Sequence, residues 1–168
     1  MFLAALVYSI DAEKPLDALR RRDLILETAR ILTAIQGVDV FMSEFPVGAG
    51  IKPDPAVWGA SCAALSQASR VPWLMISSST DFNVFLRLAE TACQQGACGV
   101  AVGRAVWQEA VAFTGGKLKT HLMKTCRARL SRLAAICEQA ARSWHQYYAP
   151  PELSADWYST YPGMINNS

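Results

Sequence analysis

The chain has 168 residues, 52% of them hydrophobic and 18% charged, with a formal net charge of +2. That is the composition of one globular domain with a sizeable core, and it excludes a disordered chain. The charge balance gives no footprint for nucleic acid, and the basic clusters Arg20 to Arg22 and Lys117 to Arg132 fall in helical stretches and read as solvated helix faces.

Met1 to Val7 is apolar, but it lacks a basic leader region and is too short to span a bilayer. Phe2 to Tyr8 therefore reads as a buried strand, and no membrane partner is expected. Ser9 to Pro15 is a polar loop. Leu16 to Ile35 is helical, with Leu24, Thr28, Ile31, Ile35 and Ile25, Ala29, Leu32 on one broad apolar stripe, and Gly37 ends it. Val38 to Phe45 is a second strand, closed by Pro46. The loop Val47 to Pro55 follows, rich in glycine and proline and long enough to be functional. Pro55 to Ser69 is a second helix, with Asp54 as its cap and Pro55 at its first position. Pro72 to Ser77 is a third strand. The hydroxyl-rich turn Ser77 to Asp81 caps a third helix bearing Phe85, Leu88, Ala89 and Ala92 on one face, and Gln95-Gly96 ends it. Cys98 to Val102 is a fourth strand, and a short helix starts near Arg104. Gly115-Gly116 breaks the chain before a long amphipathic helix, Leu118 to Trp144, with Leu122, Cys126, Leu130, Leu133, Cys137 and Ala140 at helical spacing. The tail, residues 147–168, is rich in Tyr, Trp, Pro and Asn and forms a segment apart from the domain at 1–146.

Strand–helix alternation of this kind predicts an α/β fold with a parallel sheet, right-handed crossovers and a site at the C-terminal ends of the strands. The five cysteines, Cys62, Cys93, Cys98, Cys126 and Cys137, include no CxxC and match no zinc spacing. They read as small core side chains in a reducing, cytoplasmic compartment, with no metal and no cofactor expected. His121 and His145 are expected as exposed or satisfied core residues and not as a catalytic pair.

The segment with most chemical content is Val100-Ala-Val-Gly-Arg-Ala-Val-Trp107. A buried strand leads into Gly103, where a ligand can approach the backbone. Arg104 follows at a helix start, where a guanidinium can grip a phosphate with two hydrogen bonds. The plainer reading is a strand–turn–helix with Arg104 in solvent. Three segments taken together, Asp39-Val-Phe-Met-Ser-Glu-Phe-Pro46, Val71-Pro-Trp-Leu-Met-Ile-Ser-Ser-Ser79 and Gly96-Ala-Cys-Gly-Val-Ala-Val-Gly-Arg-Ala-Val-Trp107, resemble the last three strands of the class I aldolases that act on tagatose 1,6-bisphosphate and sulfofructose 1-phosphate. Phe2 to Tyr8 resembles their fifth strand, so the likeness covers most of residues 1–112. It implies the C-terminal half of a TIM (β/α)8 barrel, followed by the long C-terminal helix.

The resemblance also implies roles. In that family a lysine on strand six condenses with the substrate ketone, and the iminium is the electron sink for carbon–carbon cleavage to dihydroxyacetone phosphate and an aldehyde. The matching residue here is Met42, which cannot form an imine. The family's strand-five glutamate falls at Ala4. Ser77, Ser78, Gly103 and Arg104 are implied to bind a phosphate of the sugar, although Ser79 stands where the family has glycine. Glu44 is a candidate acid/base, or else a structural carboxylate paired with an arginine. Lys52 is a further lysine candidate. The expectation is a sugar-phosphate domain without Schiff-base activity of its own. Its rival is a non-catalytic binding or assembly module. A half barrel leaves open sheet edges and an uncovered inner face. A homo-oligomer, a complementary N-terminal half, or truncation of a longer chain would each account for that, and a strand directly after Met1 points to a fragment or split chain.

Overall fold

The computed structural model describes residues 1–10, 16–47, 54–77 and 80–149. Four short strands, β1 (Phe2–Ala5), β2 (Val40–Ser43), β3 (Trp73–Ile76) and β4 (Val100–Ala101), form one all-parallel sheet in the order β1-β2-β3-β4. Helices α1 (Ala18–Leu32), α2 (Pro55–Ala68) and α3 (Phe82–Gln94) connect consecutive strands. After β4 come the short α4 (Arg104–Trp107), a 3-10 turn over Gln108–Ala112, and a helical run made of α5 (Gly115–His121), a π-helical turn at Leu122–Cys126 and α6 (Arg127–Ala140). The parallel α/β architecture read from the sequence is therefore present.

The helix starts follow from short acidic caps. Asp17 accepts from the Arg20 amide at 2.9 Å, Asp54 from the Ala56 amide at 3.0 Å and Asp81 from the Asn83 amide at 2.8 Å. Each satisfies one of the donors that a helix start leaves without a partner. Past the end of α3, Gly96 takes φ +100, and a Cβ there would come within 2.8 Å of Ser66 Oγ. Only glycine fits that corner without movement.

The helices pack side by side in chain order, α1 on α2, α2 on α3 and α3 on α6. Right-handed crossovers place them on the same face of the sheet. That face is dry: Phe41, Ser43, Trp73 and Met75 are fully buried, against Ile25, Leu65, Phe85, Leu88 and Leu133 from the helices. The alternate residues, Val40, Met42, Leu74 and Ile76, are only half buried, and Phe2 and Ala4 beside them are exposed. Among the described residues the sheet is thus closed on one side and open on the other.

Several sequence expectations shift here. From the sequence, Val38, Val40, Leu74, Ile76, Val100 and Val102 are expected to face partly onto the opening of a half barrel, but Val38 is buried in the helix-side core, and Val100 pairs in register with Met75 and so shares its face; Val100 and Val102 pack on the core, and Ala101 takes the open-face place. On α1 the buried residues are Ile25, Leu26 and Ala29, whereas Ile31 and Ile35 of the expected stripe are exposed. The last helix is not one unbroken element from Leu118 to Trp144. It starts at Gly115, widens through the π turn and stops at Ala140, because Ala141 adopts an extended backbone. Gly115-Gly116 forms its first turn and not a break. The extra residue per turn in a π segment rotates the face that follows. Leu130, expected inside, is exposed, while Arg129 turns toward the body.

After α6 the chain crosses the N-terminal ends of the strands. The Arg142 amide donates to Ala97 O at 2.9 Å, and Tyr148 Oη donates to Asp39 O at 2.6 Å. Trp144 and Tyr148 line a cavity of about 330 Å³ with Phe2, Val40, Pro72, Leu74 and Cys98. Trp144 and Tyr148 thus cover this lower end, and the rest of the tail, residues 150–168, lies outside the described part. No helix among the described residues is long and apolar enough to cross a membrane.

Phe41 has no exposed surface. Its replacement by Ala is expected to destabilise the chain by about 3–5 kcal/mol, whereas Asp81→Ala, which removes only a cap, is expected to cost about 1 kcal/mol. Denaturant midpoints for the two variants check this ordering.

Candidate functional site

The C-terminal ends of β3 and β4 bring together two of the segments singled out in the sequence. Ser77 follows β3, and its amide donates to Ala101 O at 3.3 Å. Its Oγ accepts from the Gly103 amide at 3.3 Å. Gly103 then leads directly into α4, whose first residue is Arg104. Arg104 is exposed, and its guanidinium makes no hydrogen bond or ion pair with another described residue. Ser77, Gly103 and Arg104 therefore lie at one rim, where the Ser77 hydroxyl and the Arg104 guanidinium are able to meet an anion while the Gly103 amide holds Ser77 Oγ in place. Ser78 and Lys52 lie outside the described residues.

Met42 sits in the middle of β2, in register with Ala4 of β1 and Leu74 of β3 on the open face. The two positions that the aldolase resemblance assigns to a lysine and a glutamate are thus cross-strand neighbours, and both carry apolar side chains. The described lysines, Lys117, Lys119 and Lys124, all lie on α5 and the π turn, away from the sheet. No amine therefore faces the open surface among the described residues.

Glu44, one step past β2, is held in an ion pair with Arg21 Nη2, and both side chains are largely buried. Its Oε2 also accepts from the Val7 amide at 3.4 Å, and Arg21 Nη1 donates to Val7 O at 2.7 Å. The carboxylate, the guanidinium and the end of β1 thus form one closed unit, the structural arrangement weighed in the sequence. A carboxylate so occupied is a poor proton carrier, and breaking the pair would leave a largely buried charge.

A second arginine supports the rim from below. Arg129 of α6 donates to Val106 O at 2.8 Å and grips Glu109 with two hydrogen bonds of 2.7 Å. Its guanidinium also lies 5.0 Å from the centre of the Phe82 ring, in cation–π geometry. Cys126 Sγ donates to the same Val106 carbonyl at 3.4 Å. These contacts fasten the Gly103–Trp107 segment to α6. The Arg129 hydrogen bonds lower the Glu109 pKa to about 2.

Neither Arg21 nor Arg129 is the solvated residue that its basic cluster predicts. The signal was present in the helical spacing: Arg21 lies one turn before Ile25, and Arg129 lies between Cys126 and Leu133 on the buried stripe. The two histidines are far apart in role. His121 rests against the Phe113 ring at 5.0 Å, and His145 stacks on Trp144 at 3.9 Å. No group of three or more His, Cys, Asp or Glu residues that could hold a metal ion occurs among the described residues. No known family model matches the chain.

Because the Glu109 pKa is depressed, the pair's contribution is full above the ordinary carboxylate value of 4.5 and fades as pH falls through about 2. Glu109 is partly exposed, so solvent screening keeps that contribution to about 0.5 kcal/mol. A carboxyl-carbon NMR titration is expected to place Glu109 near the bottom of the range in the native chain, and Arg129→Met is expected to return it to the ordinary value.

Proposed function

We propose that the chain is the phosphate-gripping half of an aldolase-type sugar-phosphate barrel. It would bind one phosphate of a ketose phosphate or of dihydroxyacetone phosphate through Ser77, Ser78, Gly103 and Arg104, in a cytoplasmic setting. The observation that carries this reading is the 3.3 Å contact between the Gly103 amide and Ser77 Oγ beside the unpaired Arg104. It joins at one rim two segments that the resemblance names independently. Four parallel strands in sequential order, with their helices in the same order, also match the repeating unit of an eight-stranded barrel.

In this reading Arg104 supplies charge and bidentate geometry. Ser77 adds a hydroxyl. Carbon–carbon cleavage needs an amine to form the iminium, and Met42 supplies none. Glu44, locked to Arg21, positions the end of β1 and takes no proton. The chain by itself therefore binds and does not cleave.

A second reading, an assembly module, is favoured by the open face. Phe2 is 65% exposed and Leu6 62% exposed, beside the unpaired edge of β1. An uncovered parallel sheet calls for a partner on that face, since such sheets are otherwise covered on both sides. The partner would be a second copy or a complementary four-stranded half. The two readings are compatible, because the rim and the open face are different surfaces.

Thermal melts with millimolar dihydroxyacetone phosphate test the phosphate reading. The ligand is expected to raise the Tm of the native chain by stabilising the folded state, and Arg104→Ala is expected to abolish that shift without lowering the Tm itself. An unchanged shift in Arg104→Ala would sink the assignment. After incubation with the same ligand, borohydride is expected to trap no adduct on the native chain. Sedimentation velocity distinguishes a monomer from an assembly formed through the open face.

A further inference from the structure

A cleft of about 390 Å³ opens at the start of the long helical run. Lys117, Thr120, His121, Lys124 and Thr125 line it from α5 and the π turn, and Phe113 lines it from the segment before. The helical positions recur at three and four residues, a spacing that turns side chains to one side. The set holds two ammonium groups, an imidazole and two hydroxyls, and no carboxylate. Neither ammonium group makes a hydrogen bond or ion pair with a described residue. His121 Nε2 is buried and has no hydrogen-bond partner among the described residues. Native proteins rarely leave a buried polar atom unpaired, and such an atom marks a place where a bound molecule supplies the missing bond. The imidazole leans on the Phe113 ring at 5.0 Å between centroids. A turn about its Cβ–Cγ bond carries Nε2 toward the cleft that the ring lines.

We propose that this cleft is a second anion site, separate from the rim at Ser77 and Arg104, which takes the phosphoryl group of a small molecule between Lys117, His121 and Lys124.

The donor set decides the ligand chemistry. Two lysines supply two compact positive charges, which a phosphoryl dianion balances and a single carboxylate does not. The hydroxyls of Thr120 and Thr125 and the imidazole N–H add donors for its oxygens, and bonds to a charged acceptor are the strong ones. One carboxylate stands within electrostatic reach of His121, that of Glu109. Arg129 holds it with two hydrogen bonds of 2.7 Å, so its charge is answered inside the fold and the cleft keeps its positive excess. The Phe113 ring and the methylene stems of the two lysines give an apolar wall for the carbon body of an ester.

Other basic residues of the same run are placed differently. Lys119 is exposed and does not line the cleft. Arg129 is bonded to Glu109 and Val106 O, and the Arg132 guanidinium lies 5.3 Å from the centre of the Phe82 ring. The site is thus one side of the helix and not the summed charge of the whole basic cluster.

The test titrates the full native chain with inorganic phosphate, with ionic strength held constant by chloride, and follows the ring resonances of both histidines by NMR. Those of His121 are expected to shift and saturate, while those of His145, stacked on Trp144, stay fixed. Lys117→Ala and Lys124→Ala change exposed residues and are each expected to weaken binding about fivefold. Lys119→Ala and Arg104→Ala are expected to leave the His121 response unchanged. Tighter binding of phenyl phosphate than of inorganic phosphate identifies an ester as the ligand, and equal binding identifies the free ion. The proposal is overturned if the His121 resonances do not move or if neither Lys117→Ala nor Lys124→Ala weakens the response. It is equally overturned if Lys119→Ala weakens the response as much as they do, or if Arg104→Ala abolishes it.

Discussion

Every crossover between the four parallel strands turns the same way, and the rest of the molecule answers to that constraint. It stacks α1, α2, α3 and α6 on one face and leaves the other face to be covered from elsewhere. On the helix side the packing is dense, with Phe41, Trp73, Met75 and Phe85 almost without exposed surface. On the far side, among the described residues, Trp144 and Tyr148 reach across and cover the lower end. At the upper end Ser77, Gly103 and Arg104 meet at the rim. The functional reading therefore belongs to the place where the sheet is least finished.

Two arginines set the upper rim. Arg21 closes the gap between α1, the end of β1 and Glu44. Arg129 fastens α6 to Val106 and Glu109, and so holds the segment that begins at Gly103. Both act through hydrogen bonds to backbone carbonyls as well as to carboxylates, which gives them a fixed geometry that a lone surface ion pair lacks. Among the described residues the Arg104 guanidinium has no such partner, which is why the proposed ligand contact falls to it.

In the proposed reading, Met42 separates holding a sugar phosphate from cleaving it. Its neighbours across the sheet are Ala4 and Leu74, so this part of the open face is apolar from strand to strand. Apolar side chains here suit burial against a second layer better than they suit proton transfer. The proposed phosphate rim and assembly face are thus two consequences of one incomplete enclosure.

The sequence by itself determined the alternation of strands and helices, the parallel sheet, the caps at Asp54 and Asp81 and the apolar face of α3. These are local matters of periodicity, capping and turn chemistry. It also placed Ser77, Gly103 and Arg104 at strand ends, because small polar residues after apolar runs mark loops. Tertiary structure alone decided which partners the inward charges meet. Arg21 and Arg129 lie in basic clusters that read as solvent-facing, yet each sits on a buried stripe and finds a carboxylate about 20 residues away in the chain. It also decided the fate of the last helix, where Leu130 points out and Arg129 points in although both lie about one turn from Cys126 and Leu133. The pairing of Met42 with Ala4 depends on register between elements distant in sequence, and no local pattern encodes that register.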